Sequence, residues 1–246
     1  MEILGIDIGG SGIKGAPVNT DTGELLAERY RIPTPQPSKP DAVAEVVGDI
    51  ARKFGWQGPI GAGFPAIVRH GTVYSAANVH KKWIGTDGRA LFETATGCPV
   101  RLLNDADAAG MAEMAFGAGQ GYQGVALMVT IGTGLGSALF IKGILVPNCE
   151  FGHVILRGKD AELRASDAAR KANDLSWKKW GKHFNEYLER LEALMSPDRF
   201  ILGGGVSKQF DHFKKYITVH AEVVPAMFLN EAGIVGAALA ALDLTG

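Results

Sequence analysis

Glycine-rich turns that directly follow apolar runs are the feature of this sequence best suited to chemistry. They fall at residues 9–12, 132–136 and 203–205 and contain Gly-Gly-Ser-Gly, Gly-Thr-Gly-Leu-Gly and Gly-Gly-Gly. Glycine lets successive backbone N–H groups approach an anion without interference from a side chain, so such turns are typical of phosphate sites. The GxxxxGK[ST] pattern is absent, which argues against a P-loop protein. We therefore interpret the three turns together as backbone contacts to a phosphate chain.

Charged and hydroxyl side chains flank the first of these turns. Asp7 lies near the end of the apolar run 3–8, Ser11 lies in the turn, and Lys14 follows it. A carboxylate at the end of a buried strand is well placed to hold a hydrated Mg²⁺ that neutralises phosphate charge. This stretch alone leaves simpler alternatives open, namely a tight hairpin with an incidental acid and a solvated lysine.

A second polar group follows the apolar run 100–103. Asn104, Asp105 and Asp107 come where that run, predicted to be a strand, ends. Ligands of α/β sheets bind at the carboxyl ends of strands, so these side chains are candidates for a site. Asp105 could instead cap the helix predicted to begin at Ala106, although Asp107 could serve as that cap.

Alternating and helical apolar patterns predict an α/β chain that positions these groups. Asp41 is the expected N-cap of the first helix, Gly97 the stop of the second and Ser176 the N-cap of the longest one. The aromatic stripe of that longest helix predicts core or a dimer face rather than a ligand cage. The repeated succession of strand, glycine turn and strand suggests a duplicated architecture. Strands are predicted at 3–8, 13–18, 25–32, 59–64, 100–103, 124–130, 199–202 and 217–224, with a further strand that follows the second glycine turn and ends near residue 141. Helices are predicted at 42–54, 89–96, 106–116, 161–173, 176–195, 209–216 and 231–242.

Bulk composition narrows the class of protein. The chain has 246 residues, of which 46% are hydrophobic, and a formal net charge of −1. No global basic field therefore indicates binding to nucleic acid or a membrane surface. Two cysteines are too few for a disulfide framework, and no signal segment or membrane-length apolar run is present, so we expect a cytoplasmic protein.

The motifs, taken in order, resemble those of the ROK family of sugar kinases within the actin/hexokinase/Hsp70-like superfamily. They are DIGGSGIKG, GFPA, LNDADAA, IGTGLGSA, PNCEFGH, LGGGVS and NEAGIVGAA, and they span nearly the whole chain. The resemblance implies two actin-like (ribonuclease H-like) α/β domains with an interdomain cleft. The expected smaller domain covers residues 1–105 plus the closing helix 231–246, and the larger covers residues 106–230.

Further stretches, including NVHKKWIGTDG and SPDRFILGGGVSK, resemble the branch of the family that uses inorganic polyphosphate. That likeness implies phosphoryl transfer from polyphosphate to the 6-hydroxyl of glucose, with ATP left open as a second donor, and a homodimer. The family's cysteine-rich zinc motif is missing, since a cysteine-free run separates His153 from Glu162. A structural zinc site needs about four ligands, so we expect no zinc.

The resemblance also implies roles for individual residues. Asp105 is the expected catalytic base and also a sugar contact, and Mg²⁺ is the expected cofactor, held by Asp7. Two of the glucose contacts named next have simpler alternatives: His153 could be a satisfied buried histidine, and Glu162 could be an exposed first-turn helix acid. The other expected glucose contacts are Asn78, Asn104, Glu150, His153 and Glu162. The expected contacts to the phosphate donor are Asp7, Gly9, Gly10, Ser11, Gly12, Lys14, Gly132, Thr133, Gly134, Gly203, Gly204 and Gly205.

Donor choice is not decided by the residues themselves. A polyphosphate chain would need a cationic track, yet each lysine is individually typical of a solvated surface. Rival functions are an ATP-dependent kinase for glucose, mannose or N-acetylmannosamine, a sugar-binding regulator and an actin-type ATPase. The candidates for the track are Lys81, Lys82, Lys142, Lys178, Lys179, Lys182, Lys208, Lys214 and Lys215.

Overall fold

The computed structural model describes residues 1–228 and 230–245. The strands are β1 (Glu2–Ile8), β2 (Ile13–Asn19), β3 (Tyr30–Ile32), β4 (Ile60–Phe64), β5 (Val68–Arg69), β6 (Thr72–Val73), β7 (Val100–Asn104), β8 (Val125–Ile131), β9 (Leu135–Ile141), β10 (Ile144–Val146), β11 (Ile155–Leu156), β12 (Lys159–Asp160), β13 (Arg199–Gly203) and β14 (Glu222–Pro225). The helices are α1 (Pro40–Lys53), α2 (Gly88–Thr96), α3 (Asp105–Phe116), α4 (Glu162–Ala165), α5 (Asp167–Ala172), α6 (Trp177–Met195), α7 (Phe210–Phe213) and α8 (Ala232–Ala240). Short 3₁₀ helices cover Lys81–Trp83, Phe151–His153, Gly205–Gln209, Lys214–Tyr216 and Ala241–Leu244.

The chain divides into two compact units. Unit 1 comprises Met1–Phe116 and Glu231–Gly246, and unit 2 comprises Gly117–Asn230. The sequence placed this boundary after residue 105, which is wrong for α3, because that helix packs along α8 and so belongs to unit 1. Residues 229 and 246, which the expected domains included, lie outside the described residues.

Each unit is built on a five-stranded mixed sheet, and the two sheets have the same strand order. In unit 1 the order is β3-β2-β1-β4-β7, and in unit 2 it is β10-β9-β8-β13-β14. In both sheets the first three strands of the unit pair antiparallel as a meander, and the last two add in parallel. This order confirms the α/β class with two ribonuclease H-like halves and explains the repeated sequence pattern.

Helix α8 packs on unit 1 at backbone-contact distance. A Cβ atom on Gly61 of β4 would overlap the carbonyl oxygen of Ala237, and one on Gly236 would overlap the carbonyl oxygen of Ala108 in α3. Glycine is needed at both positions because the neighbour is main chain, which cannot rotate away. The small-residue pattern of this helix therefore serves close packing against both the sheet and α3.

The aromatic stripe of α6 forms the core of unit 2. Trp180, Phe184 and Tyr187 are completely buried, and they pack with Phe213 in a cluster of rings. Ser176 caps the helix by accepting a hydrogen bond from the N–H of Lys179 at 3.3 Å. The predicted cap is thus confirmed, and of the two roles left open for the stripe these three aromatics take the core.

Two predictions in the N-terminal half are wrong in detail. The expected strand 25–32 shortens to β3, because residues 25–29 meet the sheet only through an isolated bridge between Leu25 and Val18. Helix α1 begins one residue before Asp41, with Lys39 at the N-cap position and Pro40 as the first helical residue. Proline suits that position because it has no N–H to leave unsatisfied and its φ is already helical.

Three predictions in unit 2 are wrong because tertiary contacts interrupt the local pattern. The expected helix 161–173 breaks at Ser166, which is extended and caps α5 through the N–H of Ala169. The expected helix 209–216 is a short α-helix between 3₁₀ turns. The expected strand 217–224 shortens to β14, since α6 side chains satisfy the preceding backbone: Asn185 accepts from the N–H of Thr218, and Glu192 accepts from that of Ala221.

No helix within the described residues is both long and apolar enough to cross a bilayer.

Replacing Gly236 by alanine tests the backbone contact between α8 and α3. Helix propensity alone would make this substitution stabilising by about 1 kcal/mol. We expect the opposite sign, a loss of about 2 kcal/mol in the free energy of unfolding, because the added methyl must push two main chains apart. Urea denaturation measures the change, and stabilisation would contradict the contact. Ala240→Gly, on the half-buried end of the same helix, gives the propensity effect without the overlap.

Candidate functional site

The register of the parallel strands aligns the carboxyl ends of unit 1. Asp7 of β1 lies opposite Gly63 of β4, and Gly63 lies opposite Leu103 of β7. Neighbouring strands are about 4.8 Å apart, so the backbone at Asp7 and the end of β7 are separated by about 10 Å along one edge of the sheet. The turn 9–12 and the start of α3 follow at this same edge, so the sheet brings two of the predicted polar groups close together.

Asp105 is the first residue of α3, and its neighbour Asn104 caps that helix. The Asn104 Oδ1 atom accepts from the N–H groups of Ala106 at 2.8 Å and Asp107 at 3.1 Å, and its Nδ2 donates to Ala66 O at 3.2 Å. Asp107 is itself helical and buried, so the expectation that it could be the cap is wrong. Asp105 also accepts from Ala106 N–H, at 2.8 Å, but is only half-buried.

This arrangement has a consequence for Asn104. Its side chain is 6% exposed, and its oxygen is already committed to the helix. A sugar hydroxyl could therefore reach only its remaining amide hydrogen. Asn104 serves first to fix where α3 begins and hence where Asp105 stands.

Side chains of residues 31–36 donate hydrogen bonds to the backbone of the turn 9–12. Arg31 Nη2 donates to Ser11 O at 2.7 Å, and Thr34 and Gln36 donate to the carbonyl oxygens of Gly9 and Gly10. A Cβ atom on Gly12 would lie 2.5 Å from Arg31 Nε, so a larger residue there would have to displace the guanidinium from the turn. None of the three glycines has a positive φ, so left-handed backbone does not explain this turn.

Charged residues form a row across the first three strands beside that turn. Asp7 pairs with Lys14 in the register of β1 and β2, and Lys14 pairs with Arg31 in that of β2 and β3. Directly opposite residues share a face of the sheet, and Lys14 Nζ lies 3.3 Å from Asp7 Oδ2. Arg31 was missed by the sequence analysis because only strand pairing places it here.

Asn78 is the remaining expected sugar contact of unit 1. It is exposed in the loop between β6 and the 3₁₀ helix at Lys81–Trp83.

In unit 2, Ser137 of β9 anchors the segment that carries Glu150 and His153. Its buried hydroxyl donates to Cys149 O at 2.5 Å and accepts from Phe151 N–H at 2.9 Å. Gly152 lies directly against the backbone of Leu135. These contacts fix the 3₁₀ turn Phe151–His153 next to the start of β9, where the second glycine turn ends.

His153 and three carboxylates form a cluster on this segment. His153 Nδ1 lies 2.8 Å from Asp160 Oδ2, and one ligand-type atom each from His153, Asp160 and Glu162 lie within 4.8 Å of one another. The hydrogen bond to Asp160 and the nearby Glu162 and Glu150 charges raise the pKa of His153 against its partial burial. Burial raises the pKa of the Glu150 carboxyl, and Glu162 adds to this, while His153 opposes it.

Glu162 joins this cluster to the turn 132–134. Its Oε2 accepts from Leu135 N–H at 3.4 Å, and a Cβ atom on Gly134 would lie 2.5 Å from the same oxygen. The shortened loop therefore does not displace Glu162 from the other expected sugar contacts. Glu150, His153 and Glu162 come together, as the resemblance implied, and Asp160 is added to them.

The second and third glycine turns are neighbours in unit 2. Gly203 of β13 lies opposite Thr130 of β8, so the two turns follow adjacent parallel strands at one edge. Gly204 has φ +78°, and a Cβ atom there would be within 3 Å of the backbone of Ile131. Thr133 and Gly132 are exposed, as groups that meet a phosphate must be.

The cluster of His153, Asp160 and Glu162 offers three ligand-type side chains. A structural zinc site takes about four nitrogen or sulfur ligands, whereas two of these three are carboxylates already close to an imidazole. The absence of zinc stays a prediction. The Asp160 contact offers a different way to fix the ring, because a carboxylate at Nδ1 selects the tautomer that leaves Nε2 as an acceptor.

Comparison with known proteins places these features in a family. The model of the ROK family matches residues 3–163. The chain is 46% identical over 240 residues to the polyphosphate glucokinase of Mycobacterium tuberculosis (strain CDC 1551 / Oshkosh), which covers 97% of this chain and 91% of that protein. It is 43% identical over 238 residues to the polyphosphate glucokinase of Mycobacterium leprae (strain TN), covering 96% of this chain and 74% of that protein.

Solved structures agree with the sequence matches. The inorganic polyphosphate/ATP-glucomannokinase from Arthrobacter sp. strain KM superposes with a TM-score of 0.94 at 46% identity, covering 100% of this chain and 99% of that one. A ROK family glucokinase from Streptomyces griseus, in complex with glucose and AMPPNP, gives a TM-score of 0.84 at 25% identity, covering 99% and 100%. The chain belongs to the ROK family.

Replacing Asp160 by asparagine tests its control of His153. Removing the carboxylate charge should lower the pKa of His153, because the hydrogen bond and charge of Asp160 favour the protonated ring. Because the folded pKa is raised, the stabilisation from this pair is present below the ordinary histidine pKa and disappears as the pH rises through the raised value. A titration of the imidazole carbon–proton resonances by NMR measures the midpoint.

Asp174→Asn is the matched control, since it removes one acidic charge from an exposed position of the same unit. An unchanged His153 midpoint in the Asp160 variant, or an equal shift in both variants, would contradict the assignment.

Proposed function

We propose that this chain transfers a phosphoryl group from inorganic polyphosphate to the 6-hydroxyl of glucose, giving glucose 6-phosphate, and that ATP serves as a second donor. The observation that carries the proposal is the 46% identity over nearly the full length to polyphosphate glucokinases. The site geometry within each unit supports it. Unit 1 presents a carboxylate and a cationic glycine turn at one sheet edge, and unit 2 presents a cluster suited to hydroxyl groups beside two glycine turns.

Asp105 is the proposed base. Transfer needs a carboxylate within hydrogen-bond reach of the sugar hydroxyl, to accept its proton as the oxygen attacks phosphorus. Asn104 fixes the first turn of α3 by capping it, so the Asp105 side chain is held at the end of β7 without itself being buried. The alternative role of Asp105 as the helix cap is less favoured, because Asn104 accepts hydrogen bonds from the first two free N–H groups of α3.

Sugar recognition falls to the cluster of unit 2. Glu150, His153 and Glu162 offer acceptors, and the Asp160 contact leaves His153 Nε2 facing away from its partner. Hydroxyl groups of a hexose are donors and acceptors at fixed spacing, so a rigid set of such groups can select among sugars. Asn78 is proposed as a further contact on the strength of the family resemblance alone.

The glycine turns are proposed to hold the donor. Backbone N–H groups at 9–12 and 132–134, with Ser11 and Thr133, would bind the transferring phosphates, and the third turn at 203–205 would lie along the rest of the donor. Lys14 and Arg31 add positive charge beside the first turn. Such preorganised donors stabilise charge that develops on phosphate oxygens in the transition state.

Mg²⁺ is the proposed metal, with Asp7 as its protein ligand. Magnesium keeps several waters and is usually bound through one or two carboxylates plus substrate phosphates, and the single Asp7 carboxylate next to the first turn fits that pattern. When bound, the ion supplies neutralisation of phosphate charge. Lys14 holds the Asp7 carboxylate and would orient it for this role.

A homodimer and a cytoplasmic location complete the proposal. The first rests on the family resemblance. The second is supported by the cysteine content, because two cysteines are too few for a disulfide framework and suit a reducing compartment.

The Asp105→Asn substitution tests the base. It keeps the size of the side chain but removes its ability to accept a proton, so we expect kcat to fall by about a thousandfold or more while glucose still binds. Calorimetry of glucose binding and a coupled assay of glucose 6-phosphate measure the two properties. Retention of most of the activity would remove Asp105 from this role. Asp87→Asn, an acid of the same unit that caps α2, controls for general damage.

The donor assignment is tested by comparing kcat/KM for long-chain polyphosphate with that for ATP. We expect polyphosphate to be preferred, and a clear preference for ATP would leave the rival ATP-dependent hexokinase. Glucose and mannose should both be assayed, since the Arthrobacter relative is described as a glucomannokinase. N-acetylmannosamine should be a poor substrate.

A further inference from the structure

A basic cavity in unit 2 lies outside the residues assigned above. It measures about 540 Å³ and is bounded by the hairpin β11–β12, helix α4, the loop after α5 and the first turns of α6. Its walls combine cationic and apolar side chains. The lining residues are Leu156, Arg157, Lys159, Leu163, Arg164, Asn173, Leu175, Lys179 and His183.

The positive charge of this cavity is only partly compensated. Arg157, Lys159, Arg164 and Lys179 carry permanent positive charge, and none of the lining residues is acidic. Glu186 pairs with Arg157 at 2.6 Å and with Arg164 at 3.4 Å, which orients both guanidinium groups. Neither lysine ammonium group has an acidic partner among the residues that the structure describes.

Polar atoms within the wall also lack partners. Arg164 Nε and His183 Nδ1 are buried and make no hydrogen bond in the described chain. Burial lowers the pKa of His183, and the positive charges of Arg164 and Lys179 lower it further. A bound anion would relieve the repulsion among these groups, which makes the cavity a receptor for negative charge.

The turn of the hairpin β11–β12 contributes one of these cations, Arg157. Arg157 has φ +51° and Gly158 has φ +79°, as in a two-residue hairpin turn. Asparagine or aspartate before glycine is preferred at such a turn, and arginine there is strained. The ion pair with Glu186 offers a structural reason for arginine at this position, and the same side chain adds a cation to the wall of the cavity.

The same hairpin connects this cavity to the sugar-binding cluster. Lys159 lines the cavity while the next residue, Asp160, holds His153. Adjacent residues of a strand point to opposite faces, so the two sites lie on either side of one short strand. Glu162 and Arg164 repeat this division at the start of α4.

We propose that this cavity binds a segment of the polyphosphate chain away from the phosphate being transferred. The inference rests on the proposed function, because that function supplies a donor with many linked phosphates. Four cations on a concave wall match a chain of phosphates better than a single one, and arginine and lysine are the side chains that bind phosphate oxygens. The structure selects Lys179 from the lysines considered in the sequence analysis and adds Arg157, Lys159 and Arg164.

The test compares two double variants of equal charge. Lys159→Gln with Lys179→Gln removes two cations from the cavity. Lys178→Gln with Lys182→Gln removes two exposed cations from α6, the helix that carries Lys179, without altering the lining of the cavity. We expect the first pair to raise the KM for long-chain polyphosphate about tenfold and the second to change it less than twofold. The KM for ATP and for tripolyphosphate should stay the same in both pairs, because short donors do not extend into the cavity.

Several results would overturn the assignment. These are an equal effect of both pairs, no effect of either, or an equal loss with tripolyphosphate, which would place the charge effect at the transfer site. The Lys159/Lys179 pair could also weaken inhibition by inorganic phosphate or glucose 6-phosphate while leaving the KM for polyphosphate unchanged. That result would make the cavity a monophosphate site instead.

Direct binding separates this proposal from the donor assignment. If the unaltered protein uses ATP but not polyphosphate, the proposed donor fails. Titration with long-chain polyphosphate then decides about the cavity: binding that the Lys159/Lys179 pair weakens supports it, and absence of binding refutes it. Both variant pairs should be compared at two salt concentrations, since release of counterions makes a chain-binding site steeply sensitive to salt.

Discussion

The register of the parallel strands, which aligns their carboxyl ends, is the constraint on which the site geometry depends. In unit 1 the register places Asp7, Gly63 and Leu103 side by side, so that the first glycine turn and Asp105 open at one edge. In unit 2 the pairing of Thr130 with Gly203 does the same for the second and third turns. A slip of one residue in either sheet would turn these side chains to the other face and separate the groups. The chemistry therefore depends on strand pairing as much as on the residues themselves.

This constraint explains which parts could be predicted from the sequence. The turns and Asp105 follow apolar runs directly, so a local pattern was enough to place them at strand ends. The shared topology of the two sheets was likewise visible as a repeated succession of strand and glycine turn. Arg31 and Asp160 were missed because pairing between strands brings each to its partner, and nothing in the adjacent sequence indicates it.

The errors have a common physical cause, namely side chains that take over the hydrogen bonds of the backbone. Asn104 caps α3, where Asp107 had been considered, because the side chain just before a helix is the one that reaches its first free N–H groups. Ser166 divides one predicted helix into two, and Asn185 and Glu192 replace a strand neighbour for residues 218 and 221. The caps are local and the Asn185 and Glu192 contacts are tertiary, and a periodic apolar pattern contains neither kind of partner. For helix α8 the prediction was correct but incomplete. Its small residues indicated close packing, but they did not indicate which main chains the helix would contact.

A nearly neutral protein can bind a polyanion only by concentrating its positive charge. The formal net charge is −1, so no long-range field draws phosphate to the surface as a whole. Lys14 and Arg31 form one local concentration beside the first turn, and Arg157, Lys159, Arg164 and Lys179 form another around the basic cavity. Apolar neighbours such as Leu156 and Leu175 reduce the solvent around the second group, which strengthens its interaction with an anion. Some cations elsewhere in unit 2 are paired with acids, as Arg170 and Lys171 are with Asp167. The local concentration of cations, rather than the number of lysines in the chain, is therefore what distinguishes a phosphate-binding surface from an ordinary one.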